Sequence, residues 1–199
     1  MTEKDLAIIS ELLPADLELD PSATRFDLAD PDASRRLVVY QTYWKAVGAW
    51  TPQSWALHFI VEVSGRPVGV QVLEGEDFLT VRTVDSASWL ATHARGKGLG
   101  KEMRKAVLAL AFGPLEARAA ISSAWHDNVA SLRVSKALGY RPNGALRHAR
   151  ERVGADEMIH LRLDRADWLA SRLATDVTIT GFDPCRPLFG LPAAPAGEA

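Results

Sequence analysis

The chain has 199 residues, a formal net charge of −2 and 47% hydrophobic residues, a balance typical of a globular protein with one sizeable domain. This charge provides no overall basic field for nucleic acid, and the single Cys185 excludes an internal disulfide framework. The acidic N-terminus lacks the apolar core of a signal peptide, and no apolar run reaches the roughly 18–20 residues that span a bilayer. We therefore expect a soluble cytoplasmic protein with no nucleic-acid or membrane partner. No Cys/His cluster has zinc-ligand spacing, so we also expect no metal.

The first part of the chain predicts two helices and a strand. A short helix is indicated over residues 6–13, ending before Pro14. The local alternation of Leu17, Leu19, Phe26 and Leu28 favours a first strand. A longer helix is predicted over 32–47, where apolar residues recur at helical spacing and Gly48 follows.

The middle of the chain predicts three consecutive strands, at 55–63, 68–73 and 78–84, with a hairpin turn at 64–67. A helix over 99–112 and a strand over 117–125 then form a parallel, right-handed crossover. In that helix the apolar stripe is formed by Leu99, Met103, Val107 and Leu110. Its period assigns Lys101, Glu102, Arg104 and Lys105 to the opposite face.

The second half predicts a helix capped by Asp127 or Asn128 and stopped by Gly139. Its inward stripe is predicted to be Ala130, Val134, Ala137 and Leu138. A final hairpin is predicted over 145–152 and 156–163, then a short helix over 164–173 and a strand over 177–180. The tail beyond is rich in proline, which opposes regular structure, but its apolar residues favour packing on the domain or on a second subunit. Residues 193–199 are predicted to be mobile.

A glycine-rich loop stands at the centre of the chain, in Arg95-Gly96-Lys97-Gly98-Leu99-Gly100-Lys101. Glycines let a ligand approach the backbone, and the helix that follows directs its free N–H groups and positive dipole end at the loop. This arrangement predicts a phosphate or pyrophosphate site. A plain glycine turn with basic surface residues is the alternative.

Two familiar nucleotide loops do not fit this stretch. The Walker pattern requires a glycine where Arg95 stands, and the dinucleotide fingerprint requires one where Lys101 stands. The loop therefore predicts a phosphate ligand outside those two classes.

The order of elements and two motifs resemble the GNAT superfamily of N-acetyltransferases, and within it the branch of ribosomal-protein N-terminal acetyltransferases. The resemblance covers roughly residues 35–170. It is carried by Ser88-Trp89-Leu90, the glycine-rich loop, Ala111-Phe112, and the series Asn128, Ser131, Val134, Leu138, Gly139 and Tyr140. The implied fold is mixed α/β, with a central, mostly antiparallel twisted sheet, a parallel splayed strand pair and helices on both faces.

The resemblance implies that acetyl-coenzyme A is the acyl donor. Backbone N–H groups of Gly96, Lys97, Gly98, Leu99, Gly100 and Lys101, beside Arg95, would bind its pyrophosphate. The strand at Trp89, Leu90 and Ala91 would pair with the pantetheine arm, and an N–H near Leu90 would stabilise the oxyanion. Asn128 would bind the pantetheine, although it also suits a simple helix cap. Ser131 would lie near the thioester sulfur, although it also suits an ordinary first-turn serine.

The acceptor must be a neutral amine, because an ammonium has no lone pair, so a base must take its proton. Asp85 is the first candidate, since strand alternation places it on one face with Ala87 and Trp89. It also suits a solvated strand-end carboxylate. The alternatives are Glu62, Glu76, His58 and His93, while Tyr140 is assigned to core packing.

The predicted function is direct acetyl transfer from acetyl-CoA to a primary amine in a ternary complex, since no nucleophile with an adjacent base is apparent and Cys185 lies in the proline-rich tail. The acceptor would be a protein N-terminus or a small molecule. The alternatives are a non-catalytic CoA-binding module and a transferase of a longer acyl group such as succinyl, which would need a basic residue near the acyl end. We predict an acetyltransferase domain over 32–170, a poorly matched segment over 1–31 and a C-terminal extension over 171–199. A homodimer is the candidate assembly.

Overall fold

The computed structural model describes residues 1–18, 28–150, 153–173 and 175–193. The strand predicted from the alternation between Leu17 and Leu28 falls mainly outside these ranges. The C-terminal end predicted to be mobile, residues 193–199, also lies outside these ranges from residue 194 onward.

Six strands in the described ranges form one sheet, and helices flank it. The strands are β1 (Trp55–Val63), β2 (Arg66–Gly75), β3 (Thr83–Leu90), β4 (Ala119–Trp125), β5 (Arg141–Arg150) and β6 (Gly154–Asp164). Their order is β1-β2-β3-β4-β6-β5, and the pairs are antiparallel except β3 with β4. The helices are α1 (Leu6–Glu11), α2 (Pro31–Gly48), α3 (Phe78–Val81), α4 (Leu99–Phe112), α5 (Val129–Ala137) and α6 (Arg165–Ser171). The predicted mixed α/β fold is confirmed.

The parallel pair β3 and β4 separates soon after it begins. Its ladder consists of Thr83 opposite Ala119 and Val84 opposite Ala120. Beyond that point β3 stays paired with β2 as far as Leu90, and β4 stays paired with β6 as far as Trp125. A wedge-shaped gap therefore opens between the two strands, as the predicted splay requires.

Helix α4 covers one face of the sheet and supplies much of the core. Its Leu108, Ala111 and Phe112 are fully buried. They share a cluster with one residue from each of four strands, namely Leu73, Val84, Ala120 and Leu163. Burial of this apolar surface fixes α4, and with it the glycine-rich loop, against the sheet.

The segment predicted as the third strand begins instead with a helical turn. Helix α3 spans Phe78–Val81 between Asp77 and Arg82, which both adopt left-handed backbone conformations, with φ of 45° and 52°. The ring of Phe78 is fully buried and anchors the turn against Trp55. Strand β3 therefore starts at Thr83, which places Asp85 near its beginning.

Two faces predicted from periodicity are wrong in part. Arg104 and Lys105 of α4 are buried, with 5% and 7% of their surface exposed, rather than solvated. At α5 the predicted Leu138 is buried and Val134 packs against the core, but Ala130 and Ala137 are exposed and Ser135 is buried instead. Helical period locates a stripe only to within a residue or so, and buried polar partners shift it.

The C-terminal region packs on the core without the strand predicted over 177–180. That segment pairs with none of the strands that the structure describes, and the chain then forms a 3-10 turn over Asp183–Phe189 despite its prolines. Phe189 and Leu191 are buried, and the Phe189 ring lies 4.9 Å from that of Trp55. None of the helices in the described ranges combines the length and low charge needed to cross a membrane.

Candidate active site

The glycine-rich loop adopts the backbone that an anion site needs. Gly96 and Gly98 have φ of +74° and +81°, values that side chains rarely tolerate, and the space where a Cβ would stand is open at both. Gly98 caps α4, and its carbonyl accepts from Lys101 N at 3.0 Å. The N–H groups of Leu99 and Gly100, at the start of the helix, have no acceptor within the described residues, so they are available to a ligand.

A cavity of about 840 Å³ connects this loop to the gap between β3 and β4 and to the first turn of α5. Ten of the residues predicted for the site line it, and the volume suits a cofactor-sized ligand. They are Trp89, Leu90, Arg95, Gly96, Gly98, Leu99, Gly100, Lys101, Asn128 and Ser131.

Three predicted site residues do not line the cavity. Ala91 is buried, and its N–H donates to Val68 O at 2.9 Å. Lys97 is exposed on the loop. Asp85 lies deeper, one residue beyond the last position at which β3 pairs with β4.

Asn128 and Ser131 face the cavity from the start of α5. Asn128 Oδ1 accepts from Ser131 N at 3.1 Å, so Asn128 is the helix cap. This bond leaves the Asn128 amide group to donate toward the cavity. The Ser131 hydroxyl makes no hydrogen bond within the described chain, so it too can serve a ligand.

Arg95 is held by a carboxylate that sequence analysis did not connect with the site. Its guanidinium pairs with Asp16 at 2.6 and 2.9 Å, and its Nε donates to Leu90 O at 3.1 Å. This pairing raises the pKa of Arg95 and lowers that of Asp16. Because Asp16 neutralises the charge of Arg95, a phosphate in the loop would be attracted mainly by the backbone N–H groups and by Lys101.

Arg150 holds the opposite rim of the cavity together. It contacts the carboxylates of Glu18, Asp127 and Asp156 at 2.6, 3.0 and 2.7 Å. Its guanidinium also lies 4.8 Å from the centre of the Trp125 ring. These contacts hold the pKa of Arg150 above its ordinary value and that of Asp156 below it. The partners are distant in sequence, which is why no local pattern reveals the cluster.

Asp85 is largely buried at the closed end of the strand gap. Its Oδ1 accepts from Ser86 N at 2.6 Å. Burial raises the pKa of this carboxyl group, while the charges of Arg104 and His160 oppose the rise. A carboxyl group with this shift has the character of a proton acceptor.

The four alternative bases lie away from the cavity. Glu62 and Glu76 are exposed at strand ends, and His93 lies in the short turn before the loop. His58 is under α2, 6.4 Å from the Tyr43 ring, and burial lowers its pKa. Asp85 is also absent from the cavity lining, but of the five candidates it is the one at the point where β3 and β4 separate.

Arg104 is a cavity residue that the sequence analysis assigned to solvent. Its Nη1 donates to Ser122 Oγ at 3.1 Å and to Ser135 Oγ at 2.9 Å, which ties α4 to β4 and α5. Burial lowers its pKa. The neighbouring Tyr140 is buried, as predicted, and burial raises its pKa to about 12.

The chain is similar to known proteins both in sequence and in fold. Residues 2–141 match the family model described as the acetyltransferase (GNAT) domain. A mutant spermidine N-acetyltransferase SpeG from Vibrio cholerae superposes with a TM-score of 0.67 at 15% identity, over 86% of this chain and 96% of that one. Mycobacterium smegmatis RimJ in complex with CoA-disulfide gives 0.64 at 19% identity, over 86% of each chain.

The family model spans well over half of the chain, and the neighbours share its overall fold. The resemblance to the GNAT superfamily stated from the motifs is thereby confirmed, while the branch stays a prediction. This chain belongs to the GNAT acetyltransferase family.

Proposed function

We propose that this protein transfers an acetyl group from acetyl-CoA to a primary amine by direct attack in a ternary complex. The observation that carries the proposal is the continuous cavity that joins the glycine-rich loop to the gap between β3 and β4. A pyrophosphate fits the loop, and an extended arm fits beside the unpaired edge of β3. The RimJ neighbour, crystallised with a CoA derivative, supports the choice of donor.

Different residues of the chain would bind different parts of acetyl-CoA. The N–H groups from Gly96 to Gly100 would hold the pyrophosphate, with the Lys101 side chain adding charge. The backbone of Trp89 and Leu90 would pair with the pantetheine, and the free Asn128 amide would donate to it. Bound acetyl-CoA supplies a thioester whose C–S bond breaks as the C–N bond to the amine forms, releasing CoA and an amine proton.

Proton movements fall to two side chains. Asp85 would receive the amine proton, either directly or through water, at the inner end of the gap. The Ser131 hydroxyl lies at the first turn of α5, where it would donate a hydrogen bond to the departing sulfur. Both roles are proposals that rest on position and on the burial of Asp85.

The proposal is tested by amine-dependent release of CoA. Purified protein with acetyl-CoA is offered a panel of peptides, aminoglycosides and small amines including spermidine, and free thiol is measured. We expect thiol release with at least one amine class and a matching acetylated product by mass spectrometry. Binding of acetyl-CoA without release on any amine would instead favour a non-catalytic CoA-binding module.

The acceptor class stays open between a protein N-terminus and a small amine. One neighbour is named a spermidine N-acetyltransferase, and the motifs resemble the branch acting on ribosomal proteins. Acidic groups at Asp16, Glu18 and Asp127 line the cavity. Each of them is already paired with Arg95 or Arg150, so these carboxylates do not select between the two acceptor classes. The homodimer, the cytoplasmic location and the domain boundaries stay predictions.

A further inference from the structure

Arg150 lies at the end of β5, and the protein around it engages its whole guanidinium group. Nε and Nη2 donate to Glu18 at 3.0 and 2.6 Å. Nη1 donates to Asp127 at 3.0 Å and to Asp156 at 2.7 Å. The group also lies over the Trp125 ring. Because each of its three nitrogens already donates to a carboxylate, any role of Arg150 in the reaction must act through the groups it contacts.

The contact with Asp127 is the one that reaches the candidate active site. Both carboxylate oxygens of Asp127 accept from Arg150 Nη1, at 3.1 and 3.0 Å. Asp127 precedes Asn128, whose side chain caps α5, and both residues line the cavity. The turn that joins β4 to α5 is tight, because Asn128 N donates to Trp125 O at 2.9 Å and Val129 N donates to Asp127 O at 2.8 Å. A displacement of Asp127 is therefore passed directly to the first turn of α5.

Asp156 anchors Arg150 to the sheet. Its Oδ2 accepts from Arg150, and its Oδ1 accepts from Glu157 N at 2.8 Å. Its side chain is only 14% exposed, and the contact with Arg150 lowers its pKa, so it stays ionised at neutral pH. Asp156 belongs to β6, which lies between β4 and β5 and pairs with both. Arg150 thus connects the start of α5 to an interior strand of the sheet.

The guanidinium also keeps two like charges together. Asp127 and Asp156 accept from the same nitrogen of Arg150, so their carboxylates lie close to each other. Without the arginine they would repel each other. Asp127, whose side chain is 53% exposed, is freer to move than Asp156. Loss of Arg150 should therefore displace Asp127, and the turn that carries it, rather than β6.

We propose that Arg150 is a positioning residue that acts through Asp127 on the first turn of α5. It would hold that turn where the Asn128 amide can donate to the pantetheine and the Ser131 hydroxyl can reach the sulfur. Misplacement by about 1 Å can lower a rate by about 100-fold, so a small shift of the turn matters. The inference rests on the proposed function, because it assumes that the pantetheine lies against α5. The pyrophosphate site, at the start of α4, should not respond.

The difference between those two parts of CoA provides the test. Arg150→Met and Asp127→Ala each remove the contact. Isothermal titration of the full chain compares CoA with 3′-phospho-ADP, the fragment of CoA that lacks the pantetheine, and kcat is measured with an amine that the wild type accepts. We expect both variants to bind CoA about fivefold more weakly and to lower kcat about tenfold, with the affinity for 3′-phospho-ADP unchanged.

The ion pair between Arg141 and Asp167 is the matched control. It joins the other end of β5 to α6, with a distance of 3.1 Å and an exposed arginine. Arg141→Met and Asp167→Ala should leave kcat and both affinities unchanged. An equal loss of affinity for CoA and 3′-phospho-ADP in the Arg150 variant would contradict the inference, because the damage would then extend beyond α5.

The double variant Arg150→Met/Asp127→Ala separates one shared route from two independent effects. If Arg150 acts through Asp127, the double variant should lose no more than the Arg150 variant alone. Losses that multiply, or a folded Arg150→Met protein with unchanged kcat and CoA affinity, overturn the inference. If Arg150→Met does not fold, Asp127→Ala decides alone, and unchanged kcat and CoA affinity in that variant overturn it.

Failure of the proposed function has a different signature. A wild-type chain that binds CoA but transfers no acetyl group to any amine contradicts the proposed function, whereas the affinities for CoA and 3′-phospho-ADP still test the role of Arg150. A wild-type chain that binds neither molecule contradicts both.

Discussion

Asp85 and Arg104 are charged groups on different elements, β3 and α4, and burial shifts their pKa values in opposite directions. Asp85 alternates with Val84, whose side chain lies in the core under α4, so Asp85 faces the other side of the sheet. Arg104 extends from α4 itself. One group is a carboxyl with a raised pKa and the other a guanidinium with a lowered pKa, and burial is the first cause in both.

We predict that Asp85→Asn lowers turnover by about 100-fold or more, the usual contribution of a general base. In the wild type, the rate should fall as the pH drops through the raised pKa of Asp85, because the protonated carboxyl accepts no proton. The variant should lose this limb of the pH–rate profile. Glu62→Gln, at an exposed alternative base, is the control and should leave the profile unchanged.

The same raised pKa fixes the sign of a stability effect. The folded chain holds the Asp85 proton more tightly than the unfolded chain, whose ordinary value is 3.8. Its contribution to the free energy of unfolding therefore decreases as the pH rises from that value through the folded pKa.

An unaltered pH–rate profile in Asp85→Asn would remove Asp85 as the base.

At the scale of single residues, the sequence correctly predicts the role of a residue where that role depends on the backbone conformation at its position. Gly98, Asn128 and Gly139 are read correctly because turns and caps demand particular residue types. Arg104 is missed because helical period assigns a charged residue to solvent, whereas Ser122 and Ser135 draw it inward. Those partners lie on two other elements, so no local pattern contains the information.

The loop and α4 form the element on which cofactor binding depends. We predict that Gly98→Glu weakens CoA binding by at least about 100-fold, or about 2.8 kcal/mol, because a carboxylate would stand where the pyrophosphate binds. Titration with CoA measures the change. Gly65→Glu is the matched control, since Gly65 has a similar φ of +72° in open space at the β1–β2 turn.

Both variants carry a similar backbone strain, so their thermal unfolding should shift alike while their CoA affinities diverge. Unchanged affinity in folded Gly98→Glu would show that the loop does not bind the cofactor. Equal losses of affinity in both variants would assign the effect to strain alone.

Element boundaries follow from the sequence where caps and periods are strong. The predicted spans of β1 and α4, 55–63 and 99–112, match the observed bounds. The strand predicted over 78–84 is wrong at its start, because burial of Phe78 and two left-handed residues form a helical turn there. An apolar run alone does not distinguish a strand from such a turn.

At the scale of the whole molecule, the order of elements predicts the topology, because a parallel crossover after a meander leaves few arrangements. The ion pairs that close the cavity do not follow from that order. Asp16 meets Arg95, and Glu18 meets Arg150, across long separations in sequence. Tertiary packing brings these charges together, and it also seats Phe189 of the tail against Trp55.

A crystal structure of the protein with CoA bound tests the central claim most directly. The account predicts the pyrophosphate on the N–H groups of residues 96–100, the pantetheine along β3 at Trp89 and Leu90, and the sulfur near Ser131. CoA bound at another surface, or a pantetheine arm outside the gap between β3 and β4, would contradict it.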